Sequence, residues 1–258
     1  MRIDLNADVG EAFGAYPGPG GSTDYDAGLL RFVTSANVAA GFHAGDPSVL
    51  RATIQAAKAA GAAVGAHPGF PDLVGFGRRE MIVTPKEAED FVLYQIAAVA
   101  GVAAAEGLKL QHVKPHGALF NMAARDAGLA GAIARATAAF DGSLILFGLP
   151  GSEILKAGRA NGLRVAAEAF ADRAYAPDGS LVQRSRPGAV IHDADIVVSR
   201  AIRMATEKVV TAVDGSIVGL DVDTICVHSD TPGAEDLAAR LRAGLEAAGV
   251  TVKAIGAA

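Results

Sequence analysis

The sequence of 258 residues contains one cysteine, Cys226, and therefore cannot form an internal disulfide bond. A single thiol is typical of proteins from a reducing compartment. The N-terminus lacks the basic region and following apolar stretch of a secretory signal. No unbroken apolar run reaches the length that spans a membrane, although hydrophobic residues make up 51% of the chain. We therefore expect a cytoplasmic protein with no membrane partner.

Several functional classes lack their signatures here. The formal net charge is -5, and no cluster of basic residues offsets it, so we expect no nucleic-acid partner. The P-loop pattern G-x-x-x-x-G-K-[ST] is absent. So is the G-x-S-x-G elbow of serine hydrolases, and Cys226 lies inside an apolar run, which argues against a cysteine nucleophile.

What the chain does contain is an alternation of apolar runs typical of β-strands with helical patterns. The predicted strands are Arg2–Leu5, Ala62–Ala66, Leu110–Val113, Leu144–Phe147, Leu163–Ala166 and Thr224–Val227. The predicted helices are Ser48–Ala60, a helix capped by Thr84 and Glu87, Gly117–Phe140, Gly151–Ala160, Asp193–Val210 and Ala234–Ala248. This order predicts an α/β protein with a mostly parallel sheet or barrel, formed by one domain over residues 1–258.

Polar side chains cluster where the predicted strands end. The first strand is expected to stop in an acidic turn, because Asp4 is followed closely by more polar residues. The clusters are Asp4, Asn6, Asp8 and Glu11; Asn37, His43 and Asp46; His67, Asp72, Arg78 and Arg79; Lys114 and His116; Glu168, Asp172 and Arg173; and His228 and Asp230. The carboxyl ends of parallel strands gather on one face. We therefore expect one shared active site.

Two loops add detail to this site. His43 and His67 lie in short glycine-containing loops, where backbone can approach a small ligand closely, although such glycines also serve ordinary turns. Arg78 and Arg79 follow one another and could clamp a carboxylate or phosphate; the alternative is a solvated basic loop.

Seven blocks resemble, in the same order, the signature segments of the LamB/YcsF family. They are Asp4–Glu11, Asn37–Pro47, Gly65–Asp72, Gly75–Arg79, Val113–Leu119, Glu168–Arg173 and Cys226–Pro232. The blocks reach from residue 4 to residue 232, so the resemblance covers nearly the whole chain. Ala40 stands where the family often has cysteine, and Ser229 where it often has glycine. A cysteine role in the second block therefore cannot apply here.

The resemblance implies a (β/α) barrel, seven-stranded and similar to glycoside hydrolases and deacetylases. The family is the A subunit of bacterial 5-oxoprolinase, which implies ATP-dependent opening of 5-oxo-L-proline to L-glutamate together with B and C subunits. It also implies ATP with Mg²⁺ as cofactors. Because this chain has no P-loop, the sequence leaves open which member of the complex binds ATP.

The expected site residues follow from the clusters and the resemblance. The catalytic candidates are Asp8, Glu11, His43, Lys114 and His116, and the substrate-binding candidates are Asn6, Asn37, His67, Arg78, Arg79, Glu168, Asp172, Arg173, His228 and Asp230. Asp8 and His43 are expected to act as a pair. Lys114 is expected to emerge at the site, where its replacement would abolish activity without disturbing the fold.

Two other functions are compatible with the same residues. A metal-dependent deacetylase-like hydrolase of an N-acyl sugar would use Asp8, His43 and His67 as ligands of a divalent metal. The absence of a compact helical motif with two histidines ranks this hypothesis lower. A regulatory protein that binds a metabolite without turnover is the third hypothesis.

Overall fold

The computed structural model describes residues 1–14, 24–227 and 233–256. The strands are β1 (Arg2–Val9), β2 (Ser35–Ala39), β3 (Ala63–His67), β4 (Leu110–Val113), β5 (Ile145–Gly148), β6 (Arg164–Phe170), β7 (Val209–Thr211), β8 (Ile217–Gly219), β9 (Thr224–Val227) and β10 (Thr251–Val252). The helices are α1 (Asp24–Leu30), α2 (Pro47–Ala60), α3 (Pro85–Ala105), α4 (Gly117–Ala123), α5 (Ala127–Phe140), α6 (Glu153–Ala160), α7 (Ala194–Thr206) and α8 (Ala234–Ala247).

Seven parallel strands close into a barrel in the order β1-β2-β3-β4-β5-β6-β9, and β9 pairs back with β1. The closing register sets Asn6 opposite Cys226, and on the other side of β1 Asn6 pairs with Ser35. Outside the barrel, β10 extends β1 at its start and β7 forms an antiparallel hairpin with β8. The predicted seven-stranded (β/α) barrel is confirmed.

Strand β1 is longer than the sequence suggested and carries its polar residues inside the barrel. It runs to Val9, so the predicted acidic turn after Leu5 is wrong. Side chains alternate along a strand, and the apolar residues of β1 pack in the core while Asp4, Asn6 and Asp8 bond to residues of other barrel strands. The polar residues at alternate positions of β1 therefore face the inside of the barrel, and the strand is buried on both faces.

Two other predicted boundaries differ. The predicted helix Gly117–Phe140 is two helices, because the Asp126 side chain accepts hydrogen bonds from the backbone N–H groups of Gly128 and Leu129 and starts α5 there. Strand β2 was not predicted as a strand, since its buried Ser35 and Asn37 interrupt the apolar pattern. The predicted capping box at the start of α3 is confirmed.

Among the described residues, α3 is long and apolar enough to cross a membrane, judged by length and composition alone. It buries one face, including Val92, Ile96 and Val99, and packs against α5 and β3. A helix that packs against a protein core passes the same test of length and composition. Helix α3 is one of the helices that surround the barrel.

The N-terminal end of the barrel is filled and closed. Asp4 accepts hydrogen bonds from the hydroxyls of Thr34, Ser35 and Thr224 and so joins β1 to both neighbours. The C-terminal segment covers this end, where the Ile255 side chain packs against Ile145, Phe147 and Ala166. Access for a ligand is therefore expected at the opposite end, where the strands finish.

Candidate active site

A layer of buried amides supports the site from inside the barrel. The Asn37 side chain donates from Nδ2 to Oδ1 of Asn6 (2.6 Å) and to Oδ1 of Asp8 (2.9 Å). His112 Nε2 lies 2.7 Å from Asn37 Oδ1, which only accepts, so this nitrogen is the donor. These bonds fix the orientation of both amides and of the Asp8 carboxylate above them.

Lys114 follows the last residue of β4 and lies between two carboxylates. Its Nζ is 2.8 Å from Asp8 Oδ1, 2.8 Å from Glu168 Oε1 and 3.0 Å from Cys226 Sγ. Burial opposes a charge on Lys114, but the carboxylates of Asp8 and Glu168 outweigh it and raise the pKa of the lysine. The lysine is therefore an ammonium at neutral pH, shared by the Asp8 carboxylate of β1 and the Glu168 carboxylate of β6.

Glu168 and Cys226 are the other buried titratable groups around this ammonium. Burial raises the pKa of Glu168, and Lys114 partly counteracts that rise. Burial also raises the pKa of the Cys226 thiol, which keeps it protonated. The Lys114 ammonium thus forms ion pairs with both Asp8 and Glu168 in a desolvated position. Such an arrangement is suited to proton transfer.

Three histidines and a glutamate form a second buried group directly beside Asp8. They are Glu11, His43, His67 and His116, and one ligand atom from each lies within 4.8 Å of the others. His67 Nε2 is 3.4 Å from Asp8 Oδ2, and Glu11 Oε1 is 3.4 Å from His43 Nε2 and 3.6 Å from His116 Nδ1. This group, here called the histidine cluster, could hold a divalent metal ion.

The ring contacts within the histidine cluster are well defined. His43 stacks on His116 with centroids 3.7 Å apart and planes 5° from parallel, whereas His67 stands perpendicular to His116. Burial lowers the pKa values of His43 and His116 well below the ordinary value. Both rings are therefore neutral at physiological pH.

Two glycine loops and one buried glutamine hold the histidine cluster in place. A Cβ on Gly69 would lie 2.6 Å from His43 Nδ1, and a Cβ on Gly77, whose φ is +63°, would lie 2.7 Å from His43 Cβ. Gln95 of α3 bonds to both the N–H and the C=O of Gly69 at 2.9 Å. Only glycine fits at either position. Gln95 is the one polar residue on the buried face of α3, and its bonds to Gly69 explain why a polar side chain is placed there.

A cavity of about 670 Å³ opens above these groups, at the carboxyl end of the barrel. Asp8, His67, Lys114 and His116 contribute to one part of its wall. The wall also includes the loop after β5, the segment 178–185, which contains Arg184, and three further cations, Arg78, Arg125 and Arg173. A small anionic ligand would fit this mixture of cations and buried acid–base groups.

The cations have different environments. The Arg78 guanidinium lies 4.9 Å from the centre of the Phe76 ring. Arg173 is buried, and it donates from Nε to Ala189 O (3.2 Å) and from Nη2 to Val182 O (2.6 Å). Burial lowers the pKa of Arg173 to about 10, so it stays charged. Arg173 thereby ties the segment after β6 to the cavity wall.

Most of the predicted site residues meet at one place. The barrel interior and the histidine cluster bring together Asn6, Asp8, Glu11, Asn37, His43, His67, Lys114, His116 and Glu168, while Arg78 and Arg173 line the cavity. His228 and Asp230 lie outside the described residues.

Two predicted positions differ in the structure. The Arg79 guanidinium forms an ion pair with Asp72 (Nε–Oδ1 2.9 Å) within its own loop, and its side chain is 65% exposed. Asp172 is buried beyond the end of β6 and is not among the described residues that line the cavity. Neither Arg79 nor Asp172 is among the described residues that line the cavity, and the role predicted for them in substrate binding stays a prediction.

The predicted Asp8–His43 pair is also rearranged. The carboxylate nearest to His43 is Glu11, while Asp8 lies beside His67. Asp8 remains electrostatically coupled to His43. The reason is the length of β1: Asp8 is still inside the strand and faces β4, whereas Glu11, past the strand end, reaches the loop that carries His43.

Sequence reasoning missed His112, Thr224 and the contact of Cys226 with Lys114. The spacing of His112 in β4 and Lys114 directly after it was an available signal, because residues two apart along an extended chain share a face. No sequence signal indicated that Thr224 and Cys226 would meet β1, since this pairing depends on closure of the barrel.

Comparison with known proteins gives a consistent result. The model of the LamB/YcsF family matches residues 3–258. A relative from Tolumonas auensis, named as the A subunit of 5-oxoprolinase, is 54% identical over 254 residues, covering 98% of this chain and 99% of its own. The crystal structure of a lactam utilization protein from Thermus thermophilus superposes with a TM-score of 0.92 at 49% identity, over 99% of this chain and 100% of that one.

More distant structures share the fold alone. A polysaccharide deacetylase from Bacillus cereus is 14% identical, with a TM-score of 0.50 over 98% of this chain and 92% of that one. The predicted likeness to deacetylase barrels is thus confirmed at the level of architecture.

Proposed function

This chain belongs to the LamB/YcsF family, and we propose that it acts as the A subunit of a 5-oxoprolinase. In this role it opens the ring of 5-oxo-L-proline to give L-glutamate, in a complex with B and C subunits and at the expense of ATP. The name and near-full-length match of the Tolumonas auensis relative support this assignment. The single buried thiol is compatible with a cytoplasmic location.

The observation that carries the proposal is the position of Lys114. Its ammonium is held between Asp8 and Glu168 and reaches the wall of a cavity that is lined by arginines. A small cyclic amide with one carboxylate needs this combination: cations for the carboxylate and a buried donor for the lactam oxygen.

The reaction explains why ATP is required. A lactam is a stabilised amide, so transfer of the γ-phosphoryl group to its oxygen makes the ring carbon electrophilic. Water then adds to that carbon, and the C–N bond breaks as the nitrogen leaves as a protonated amine, which leaves the phosphoryl group on the new carboxyl group as an acyl phosphate. A second water hydrolyses this acyl phosphate to the carboxylate and phosphate. The products of the complete cycle are glutamate, ADP and phosphate.

The residues of this chain have distinct roles in that sequence. We assign Lys114 to the lactam oxygen or its phosphoryl group, and Asp8 with Glu168 to proton transfer at the attacking water and the departing nitrogen. Arg78 and Arg173 provide positive charge for the substrate carboxylate. No P-loop occurs in the sequence, so we assign ATP binding, with its Mg²⁺, to the partner subunits.

The experiment is a reconstitution. Purified B and C subunits are mixed with ATP, Mg²⁺ and 5-oxoproline, with and without this chain, and glutamate and ADP are measured. We expect glutamate only when all three proteins are present, and little from this chain alone. Robust ATP-dependent turnover by the isolated chain would contradict the assignment of ATP to the partners.

Two alternatives are separated by the same preparation. A deacetylase would release acetate from an N-acetylated sugar without ATP, and the buried histidine cluster is the feature that favours this function. A regulatory protein would bind 5-oxoproline, but the complete complex would show no turnover that depends on Lys114.

A further inference from the structure

We propose that His67, His116 and Glu11 form a binding site for one divalent first-row transition-metal ion, with His43 as a positioning residue. The site adjoins the one proposed for lactam opening and rests on that function only for its biological use. The set differs from the ligands expected from sequence, Asp8, His43 and His67, in two of three members.

The tautomers of two histidines are fixed by backbone carbonyls. His67 Nδ1 lies 2.7 Å from the carbonyl oxygen of Lys114, and His116 Nε2 lies 2.8 Å from the carbonyl oxygen of Phe76. A carbonyl oxygen accepts and cannot donate, so each of these nitrogens carries the ring proton. The remaining nitrogens, His67 Nε2 and His116 Nδ1, are therefore the ones that can offer a lone pair to a ligand.

These two lone pairs face each other. His67 Nε2 and His116 Nδ1 are 2.9 Å apart, and the two rings are perpendicular. Two bare nitrogens at that distance repel unless a positive ion lies between or beside them. Metal–nitrogen bonds of about 2.0–2.1 Å at a right angle give a nitrogen separation of about 2.9 Å.

Carboxylates converge on the same point. Glu11 Oε1 is 3.6 Å from His116 Nδ1, and Asp8 Oδ2 is 3.4 Å from His67 Nε2. Asp8 is already paired with Lys114, so Glu11 is the carboxylate that we assign as a ligand. Two imidazoles and one carboxylate suit a first-row transition ion.

The backbone around the histidine cluster supports a metal site. Metal-binding histidines usually donate their second ring N–H to a carbonyl or carboxylate, which fixes the tautomer, as both of these do. The carbonyl that His116 uses belongs to Phe76, a non-glycine residue at φ +54°. Such backbone is unfavourable without a compensating role, and here it aims the carbonyl at the ring.

His43 has a different relation to the proposed ion. It is fully buried, and neither of its ring nitrogens makes a hydrogen bond to a described residue. Its ring lies flat against His116, so the two rings cannot both direct in-plane lone pairs at one ion. We assign His43 to holding the His116 ring and Glu11, whose Oε1 is 3.4 Å away.

The test measures metal binding directly and needs no turnover. The full chain is stripped with a chelator, dialysed and titrated with Co²⁺, and binding is followed by visible absorption and by metal analysis after gel filtration. We expect about one equivalent of Co²⁺, displaced by Zn²⁺, and a higher melting temperature with metal than with chelator.

Variants locate the ion. His67→Gln and His116→Gln should each weaken binding by more than about 100-fold, whereas His43→Gln should weaken it by about 10-fold, as loss of a supporting contact does. His192→Gln is the matched control, because His192 is exposed and is not a member of the histidine cluster. Glu11→Gln, which keeps the side-chain shape, serves if a histidine variant fails to fold by circular dichroism.

Two results would overturn the proposal: no Co²⁺ retained by the folded wild-type chain, or full binding in folded His67→Gln and Glu11→Gln. In either case the short distance between His67 Nε2 and His116 Nδ1 would be explained by a proton shared between the two rings, and not by a metal ion. The lactam assay with the partner proteins is separate, so a failure of metal binding would refute this inference alone, and a failure of turnover would refute the proposed function alone.

Discussion

Replacing Lys114 by methionine should destabilise the protein as well as stop the reaction. The sequence alone suggested that the fold would tolerate loss of this lysine. The structure predicts otherwise, because Lys114 is 2% exposed and its ammonium is the shared partner of Asp8 and Glu168. Methionine fills a similar volume but leaves two buried carboxylates without a cation.

The expected magnitude follows from that geometry. Breaking a buried ion pair by removing one partner typically costs about 3–5 kcal/mol, because the remaining charge is uncompensated. We therefore expect the free energy of unfolding of Lys114→Met, measured by urea denaturation at pH 7, to fall by about that amount. Lys156→Met is the matched control. Lys156 also pairs with a glutamate, Glu153, but its side chain is 62% exposed, so the loss should stay below about 1 kcal/mol.

The effect should depend on pH in a defined direction. Burial raises the pKa of Glu168, and loss of Lys114 removes the interaction that lowers it again. A carboxyl group whose folded-state pKa is raised destabilises the fold above its unfolded pKa and ceases to do so when it is protonated. The stability difference between wild type and Lys114→Met should thus shrink as pH falls from 7 towards 5.

A variant as stable as Lys156→Met at pH 7 would refute this reasoning, since the buried carboxylates would then need no cation. A stability difference that grows as pH falls would refute it too, because protonation would then not relieve the variant. Activity of the reconstituted complex must fall in parallel, by about 100- to 1000-fold for the loss of one such contact.

Three further predictions concern neighbouring residues. Gly69→Ala should push on His43 and cost about 1–3 kcal/mol of stability by overpacking, which thermal melts would detect; an unchanged melt would contradict the close approach. Arg78→Ala should raise KM for 5-oxoproline, whereas Arg79→Ala should leave kcat and KM near wild type, and equal effects would argue against their separation. Asp8→Asn combined with His67→Gln should be little worse than the more severe single variant, because these side chains lie 3.4 Å apart and groups that act as a unit are non-additive; additive losses would indicate independent roles.

The sequence predicted the architecture well because the barrel repeats a local pattern. Apolar runs followed by capped helices, such as the one that Thr84 starts, are specified by residues near one another in the chain. The prediction failed at β2, where Ser35 and Asn37 are polar and yet buried. Their partners come from β1 and β4, and no local pattern reveals such partners.

The candidate site was predicted as a set of residues but not as a set of contacts. Strand-end position was sufficient to gather His43, His67 and His116 on one face. It could not show that His67 pairs with Asp8 and His43 with Glu11, because that choice depends on how far β1 extends. Arg79 was misplaced for a similar reason: it turns back to Asp72 within its own loop.

Turnover by the complete complex is the most direct test of lactam opening in this barrel. Glutamate release from 5-oxoproline and ATP is followed with the B and C subunits and either wild-type chain or Glu168→Gln, which keeps the shape of the buried side chain but removes its charge. We predict ATP-dependent glutamate release with wild type and a rate lowered by about 100-fold or more with the variant. Wild-type rates with Glu168→Gln, or no glutamate from the complete wild-type complex, would contradict the assignment of this barrel as the lactam-opening member of the complex.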